Sequence, residues 1–295
     1  MSESAVSSRT TPQFDCGDGS DGALAFDGIH KVIELTPSGN EYTLTRDVFA
    51  TTIFVNEGVT IKTAGFRIRA QVSVTGAGVI ADNGTAASGV SAGAALSEAG
   101  TLARSSGAGG AGEVTTSKAG GNVTNALGGK GGLGGEGKSG NTGGAGGTAT
   151  ATEAKLGSPH GLGFADSGYL SSAAGLQKPT GGGGGGGGTG EGTKKGGGGG
   201  GGGGVVFIAT PKISGTLKIE AVGGAGGKAE AAATEGAGGA GGGGGALILT
   251  VSESITSTVV LSVAGGAGGA AVGTATKAPE AGAAGTIYRF GPSVG

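Results

Sequence analysis

Two uninterrupted glycine runs, 181–188 and 196–204, constrain this chain more than any other feature. They carry no side chains, so they hold no catalyst and fill no ordinary core. Glycine is also the residue whose backbone costs most to order. Such runs are either flexible linker or part of a structure that requires bare main chain. A three-residue period favours the second. From Gly128 the sequence divides as GGK GGL GGE GKS GNT GGA GGT. From Gly181 the triplets hold until Thr193 breaks the frame, and between Gly223 and Gly244 only Ala229, Ala232 and Glu235 break it.

Three residues per turn is the period of an extended polyproline-II-type helix, which has no internal hydrogen bonds. Collagen uses it with proline, which is nearly absent from these runs. The expected form is therefore polyglycine II, extended helices packed side by side. Their N–H and C=O groups must bond neighbouring helices, with smaller Cα–H···O terms. A helix surrounded on all sides must be all glycine. One at the edge has room for a side chain at every third position. On this reading 181–188 and 196–204 are inner helices and 128–148 is an outer one. Lys130, Leu133, Glu136, Ser139, Thr142, Ala145 and Thr148 then form one exposed ridge.

Composition limits the function classes. Glycine makes up 77 of 295 residues, yet 36% of the chain is hydrophobic, 14% is charged and the net charge is -2. Disordered chains are usually highly charged and poor in apolar residues, so disorder fits poorly. The scattered basic residues do not form the footprint of a nucleic-acid binder. Cys16 is the single cysteine, which leaves no intrachain disulfide or cysteine metal cluster. "MSESAVSSRTTPQ" lacks the apolar segment of a signal peptide, and "VVFIA" is far shorter than a membrane span. The expectation is a soluble protein made in a cytoplasm, without membrane insertion.

Residues 1–30 read as an N-terminal attachment segment, 31–88 as a β-rich domain and 89–295 as a glycine-rich repeat domain. In "FRIRAQVSVT", Phe66, Ile68, Ala70, Val72 and Val74 alternate with Arg67, Arg69, Gln71, Ser73 and Thr75, the period of a half-buried strand. "YTLTR", "TTIFVN" and the Val59/Ile61 alternation add further strands, with turns at "PSGN", "NEG" and "TAG". A longer repeat follows. "GGGGGVVFIATPKISGTLKIEAVGGAGG" is succeeded by "GGGGGALILTVSESITSTVVLSVAGGAGG", and a truncated copy ends in "GAAGTIYRF". Each unit runs glycines, strand, turn, strand, glycines, as a stacked repeat would.

The chemical motifs are weak. Gly132–Ser139 matches the phosphate-loop pattern GxxxxGK[ST], but no strand precedes it and no helix follows to present the amides. No nucleophile elbow lies between an apolar strand and a helix, and nothing brings two carboxylates together for glycosidase chemistry. His30 and His160 are the only histidines. Asp15, Asp18, Asp21 and Asp27 invite calcium, but not with the spacing of an EF-hand loop; the alternative is a turn-rich segment. The sequons at Asn83 and Asn122 have no secretion signal to give them meaning. No cofactor, metal or catalytic residue is expected. Gly157–Pro179 is the one complex stretch inside the glycine region. It carries His160, Phe164, Asp166 and Tyr169, a candidate host-contact loop at one end of the bundle; the alternative is a plug.

"FDCGDGSDG", "YTLTRDVFATTIFVNEGVTIKTAGFRIRA" and "GVIADNG", with the two long repeats, resemble glycine-rich tail and surface proteins of tailed bacteriophages. These stretches cover over half the chain. The resemblance implies an all-β protein: a β-solenoid-like N-terminal domain followed by a polyglycine II helix bundle with interleaved β-strands. It implies a virion component, a minor tail protein or tail-tip adhesin, that is structural rather than enzymatic. Its partners would be other virion proteins, a host surface glycan or protein, and further copies of itself, a homotrimer first. Capsid decoration or a head fibre is the alternative, and ice binding by a flat face with regular threonine or alanine is a further one.

Overall fold

The structure is a computed structural model that describes residues 16–102, 104–124, 127–150, 180–230 and 235–291. Its strands are β1 (Ala23–Phe26), β2 (Glu41–Thr43), β3 (Val48–Val55), β4 (Thr60–Lys62), β5 (Arg67–Gly76), β6 (Val79–Ala81), β7 (Val123–Thr124), β8 (Ala149–Thr150), β9 (Val205–Gly215), β10 (Lys218–Glu220), β11 (Ala246–Ile255), β12 (Val260–Ser262) and β13 (Thr286–Phe290). Every pairing between them is parallel. A six-stranded sheet has the order β1-β3-β5-β9-β11-β13, and a five-stranded sheet the order β12-β10-β6-β4-β2. The chain visits the two sheets alternately, a long strand in the first and a short one in the second.

One apolar core lies between the sheets. In the long-strand sheet, Val48, Ile68, Ile208 and Leu249 stack in one row, and Ile53, Val74, Ile213 and Ile255 in another. The short strands contribute Tyr42, Ile61, Ile80, Ile219 and Leu261. Parallel sheets need both faces covered. The second face of the long-strand sheet is covered in part by a smaller cluster of Leu102, Leu127, Val205, Phe207, Ala209, Ala246 and Ile248. The two arginines expected on an exposed strand face, Arg67 and Arg69, are buried. Arg67 donates to the Thr101 carbonyl at 3.4 Å, and Arg69 lies over the Phe49 ring. Val72, expected inward, is instead well exposed at 57%, because it falls where the register shifts between Arg69 and Ser73. Pro211 occupies the matching interruption of β9, which is where a central strand tolerates proline.

The expected fold is corrected on two counts. Among the described residues there is no helix, so an appended helix bundle does not describe the glycine-rich part. Nor do the early strands form a sheet of their own. β5 pairs with β9 along most of its length, Ile68 opposite Ile208 and Val74 opposite Ile213. β6 likewise pairs with β10, Ile80 opposite Ile219. Both sheets run straight through from the early strands to the late ones.

The glycine tracts are excursions from a single kind of corner, the return from a short strand to the next long one. Early in the chain this return is brief: Thr63–Phe66 joins β4 to β5. Later it grows to residues 82–204, 221–245 and 263–285. The excursions consist largely of extended segments that bond laterally to one another. In 196–204 the N–H groups turn to three neighbours in rotation. Gly199 and Gly202 donate to Gly110 and Gly107, Gly200 and Gly203 to Ala240 and Gly243, and Gly201 and Gly204 to Thr85 and Asp82. The same segment accepts from Gly182 and Gly185, from Gly224 and Gly227, and from Gly93. Runs 181–188 and 196–204 are buried throughout. Where a segment reaches the surface, every third residue gains a side chain: Ala264, Ala267 and Ala270 in one, Thr142, Ala145 and Thr148 in another, all exposed. The single ridge expected over 128–148 is corrected too. Gly131 and Gly134 donate to Gly147 and Gly144, so the tract folds back on itself through the turn at Lys138–Asn141, with Gly140 at φ 89°.

Candidate functional site

The expected contact residues His160, Phe164, Asp166 and Tyr169 lie outside the described residues, but the two ends of their segment are placed. β8 ends at Thr150, paired with Thr124 of β7. Thr180 donates its hydroxyl to the Thr124 carbonyl at 2.6 Å and accepts from the Leu127 N–H at 2.9 Å. The chain therefore leaves and returns beside Thr124. Leu127 belongs to the apolar cluster on the covered face of the long-strand sheet, beside Phe207 and Ile248, and partly buried Tyr288 and Phe290 pack against that cluster. The segment is rooted where the glycine segments meet the sheet.

Polar turns cluster at the opposite ends of the segments. Asn141 donates to the carbonyls of Gly190 at 2.7 Å and Val114 at 3.2 Å. Gly137 N–H bonds the Thr189 hydroxyl at 3.0 Å, and Ser117 donates to the Gly188 carbonyl. Lys138 pairs with Glu191 at 2.7 Å, and Lys195 with Glu113 at 3.0 Å. These contacts fix three neighbouring turns, at 113–117, 138–141 and 189–195, relative to one another.

The remaining sequence candidates have structural partners. The phosphate-loop match ends in the Lys138–Asn141 turn with its lysine held by Glu191, and among the described residues no helix follows it. Asp18 accepts the Ser20 N–H at 3.0 Å, the main reason its carboxyl sits below the usual range. Asp21 takes both terminal nitrogens of Arg46, at 2.5 and 3.0 Å, and the Phe49 N–H at 2.8 Å. The Arg46 hydrogen bonds hold its carboxyl low. Asp27 closes a turn, taking the His30 side chain first and then the His30 and Ile29 N–H groups, which push its carboxyl far down. Tyr42 seals that turn from below, donating to the His30 carbonyl at 2.7 Å and accepting from Gly28 N–H at 3.1 Å. Tyr42→Phe is expected to lower stability by about 1 kcal/mol, read from the urea midpoint. Among the described residues no three metal-ligating side chains come together; Asp15 lies outside them. Both sequon asparagines are main-chain anchors, Asn83 accepting from Val222 N–H at 2.9 Å and Asn122 from Thr148 N–H at 2.8 Å.

Sequence reasoning missed Asp82. It is 5% exposed and pairs with buried Arg104 at 3.0 Å. Burial pushes its carboxyl up to about 6 against the opposing pull of Arg104 and the Val205 N–H. The only signal was an aspartate directly after the apolar strand "VIA". Among the described residues no helix is long and apolar enough to cross a membrane. Comparison with family models, with curated proteins and with solved structures finds no match.

Proposed function

We propose that this chain is a structural, non-enzymatic surface protein of a tailed-bacteriophage virion, a minor tail protein or tail-tip adhesin that holds a host-contact segment on a rigid glycine-rich scaffold. The observation that carries the reading is the root of residues 151–179. The one compositionally complex insert leaves and re-enters at adjoining points, Thr150 and Thr180, both tied to Thr124. Its base rests on laterally bonded main chain and on the covered sheet face, so contacts made by the insert would be transmitted to a stiff support. The resemblance to phage tail and surface proteins supplies the setting: assembly in the host cytoplasm, virion neighbours, further copies of the chain as a trimer, and a host glycan or protein as ligand.

Purified protein is expected to adsorb to host cells and block infection, and removal of residues 157–179 is expected to abolish both while leaving the unfolding midpoint in place. A protein that decorates the capsid or forms a head fibre would label heads in immuno-electron microscopy and leave infection untouched. Ice binding is the second reading, favoured by outward rows Ala264/Ala267/Ala270 and Thr142/Ala145/Thr148. Exposed Lys130 and Leu133 share the same kind of edge position, and mixed charge and size suit a regular ice face badly. Thermal hysteresis by the purified protein would transfer the assignment to that reading.

A further inference from the structure

We propose that Asp82 is a latch on the neck of the long excursion, tightest when its carboxyl carries a proton and looser once it ionises. Residues 82–204 leave after β6 and return into β9, and Asp82 holds both ends. Its C=O accepts the Gly204 N–H at 2.7 Å and its Oδ2 accepts the Val205 N–H at 3.1 Å. Its own N–H donates to the Glu220 carbonyl at 3.0 Å. The same Oδ2 lies 3.0 Å from Arg104 Nε, an ion-pair contact without a hydrogen bond, where the chain bridges Ala99 to Arg104. The fit is close: a Cβ on Gly204 would stand 2.1 Å from Asp82 Oδ2.

Such a site is poorly suited to an ionised carboxylate. Arg104 Nε and Nη1 are both buried without a hydrogen-bond partner, so the guanidinium offsets the cost of burying the carboxylate by proximity alone and the pair is incompletely compensated. Few other charges bear on it. β10 brings Glu220, whose carboxylate takes the Asn83 side chain at 3.2 Å. β5 brings Arg67, engaged with Thr101, and Arg69, over Phe49. The segment before Arg104 brings Glu98, and β9 begins with the uncharged Val205. The closed neck holds the carboxyl proton up to about pH 6, while an opened one releases it near the ordinary 3.8. The proton-linked stabilisation is therefore complete below 3.8 and is lost as pH rises through about 6.

Hydrogen exchange on the full chain tests this. After correction for intrinsic exchange, protection of the Gly204 and Val205 amides is expected to fall about tenfold from pH 5 to pH 8. In Asp82→Asn, which keeps an acceptor for the Val205 N–H, that fall should vanish. In Arg104→Gln, which removes the cation, the midpoint of the fall should move to higher pH. Protection that does not change with pH in the unsubstituted protein, or an equal fall in Asp82→Asn, overturns the latch.

Discussion

Gly184→Ala is expected to destabilise the protein by roughly 3 kcal/mol or more, one of the two largest effects a single substitution should have here. A Cβ at this position would lie 1.7 Å from the Ala108 carbonyl oxygen and 2.3 Å from its carbon. Both are rigid main chain, so no side-chain rotation relieves the clash. Gly184 also donates to Gly121 and accepts from Gly147. Separating the segments far enough for a methyl group strains those bonds as well. Ala267→Thr should change stability by no more than about 0.5 kcal/mol, because that side chain already points outward from an exposed position. Urea denaturation of both variants decides the matter. Equal small shifts would mean that the buried runs are not locked together by bare main chain.

The contrast explains why the lattice of segments stops where it does. Each segment rotates its hydrogen bonds through three directions, so a surrounded segment tolerates no Cβ at any position. A segment with one open side tolerates one in three. The alanines of 264–270 and the threonines and alanine of 142–148 occupy those open positions, and they hold off any further segment. The sheet is closed by related means. The inward row Val48–Ile68–Ile208–Leu249 ends opposite exposed Arg289 on β13, and a charged residue on an edge strand discourages further pairing.

Much of this was legible in the sequence, through periods. The threefold recurrence of glycine marked the segments that lie inside. The 42-residue offset between the two long repeats is the distance between stacked rungs, since Ile219 sits opposite Leu261. Alternation placed Ile68, Ala70 and Val74 correctly. Long-range register was not legible. Nothing local tells β5 that its neighbour is β9, beyond the whole excursion that begins at Asp82. The burial of Arg67 and Arg69 was hidden for the same reason. Arg67 is covered from around Thr101, in a stretch with few apolar residues whose role depends on Leu102 reaching the sheet, and Arg69 lies against Phe49 and Gly17. The split of 128–148 into two segments could have been read from "KSGN", a turn signal that the triplet frame obscured. The candidate contact segment was legible only as a break in composition, and its root through Thr124, Thr150 and Thr180 depends on tertiary contacts that no spacing shows.

Ile80→Ala is expected to cost about 2–5 kcal/mol, the range for truncating a fully buried aliphatic side chain. Ile80 is 0% exposed and stands midway in the short-strand row, between Ile61 and Ile219. It is also the last inward side chain before the chain departs on its longest excursion, so its cavity would open at the point where early and late strands meet. Because both sheets run through that junction, the loss should not be confined to the early strands. Ile80→Ala and Gly184→Ala should lower the midpoint of the same cooperative transition, whether it is followed by far-ultraviolet circular dichroism or by exchange of the glycine amides. If Ile80→Ala melts the early strands while the amides of 196–204 keep their protection, the sheets do not couple the two parts of the chain. If the two probes coincide, the glycine segments derive their order from the apolar core as well as from one another. That dependence is physically reasonable. Each ordered residue costs about 1–2 kcal/mol of backbone entropy, a single lateral hydrogen bond contributes about 1 kcal/mol net, and the rows of isoleucine, leucine and valine must make up the difference.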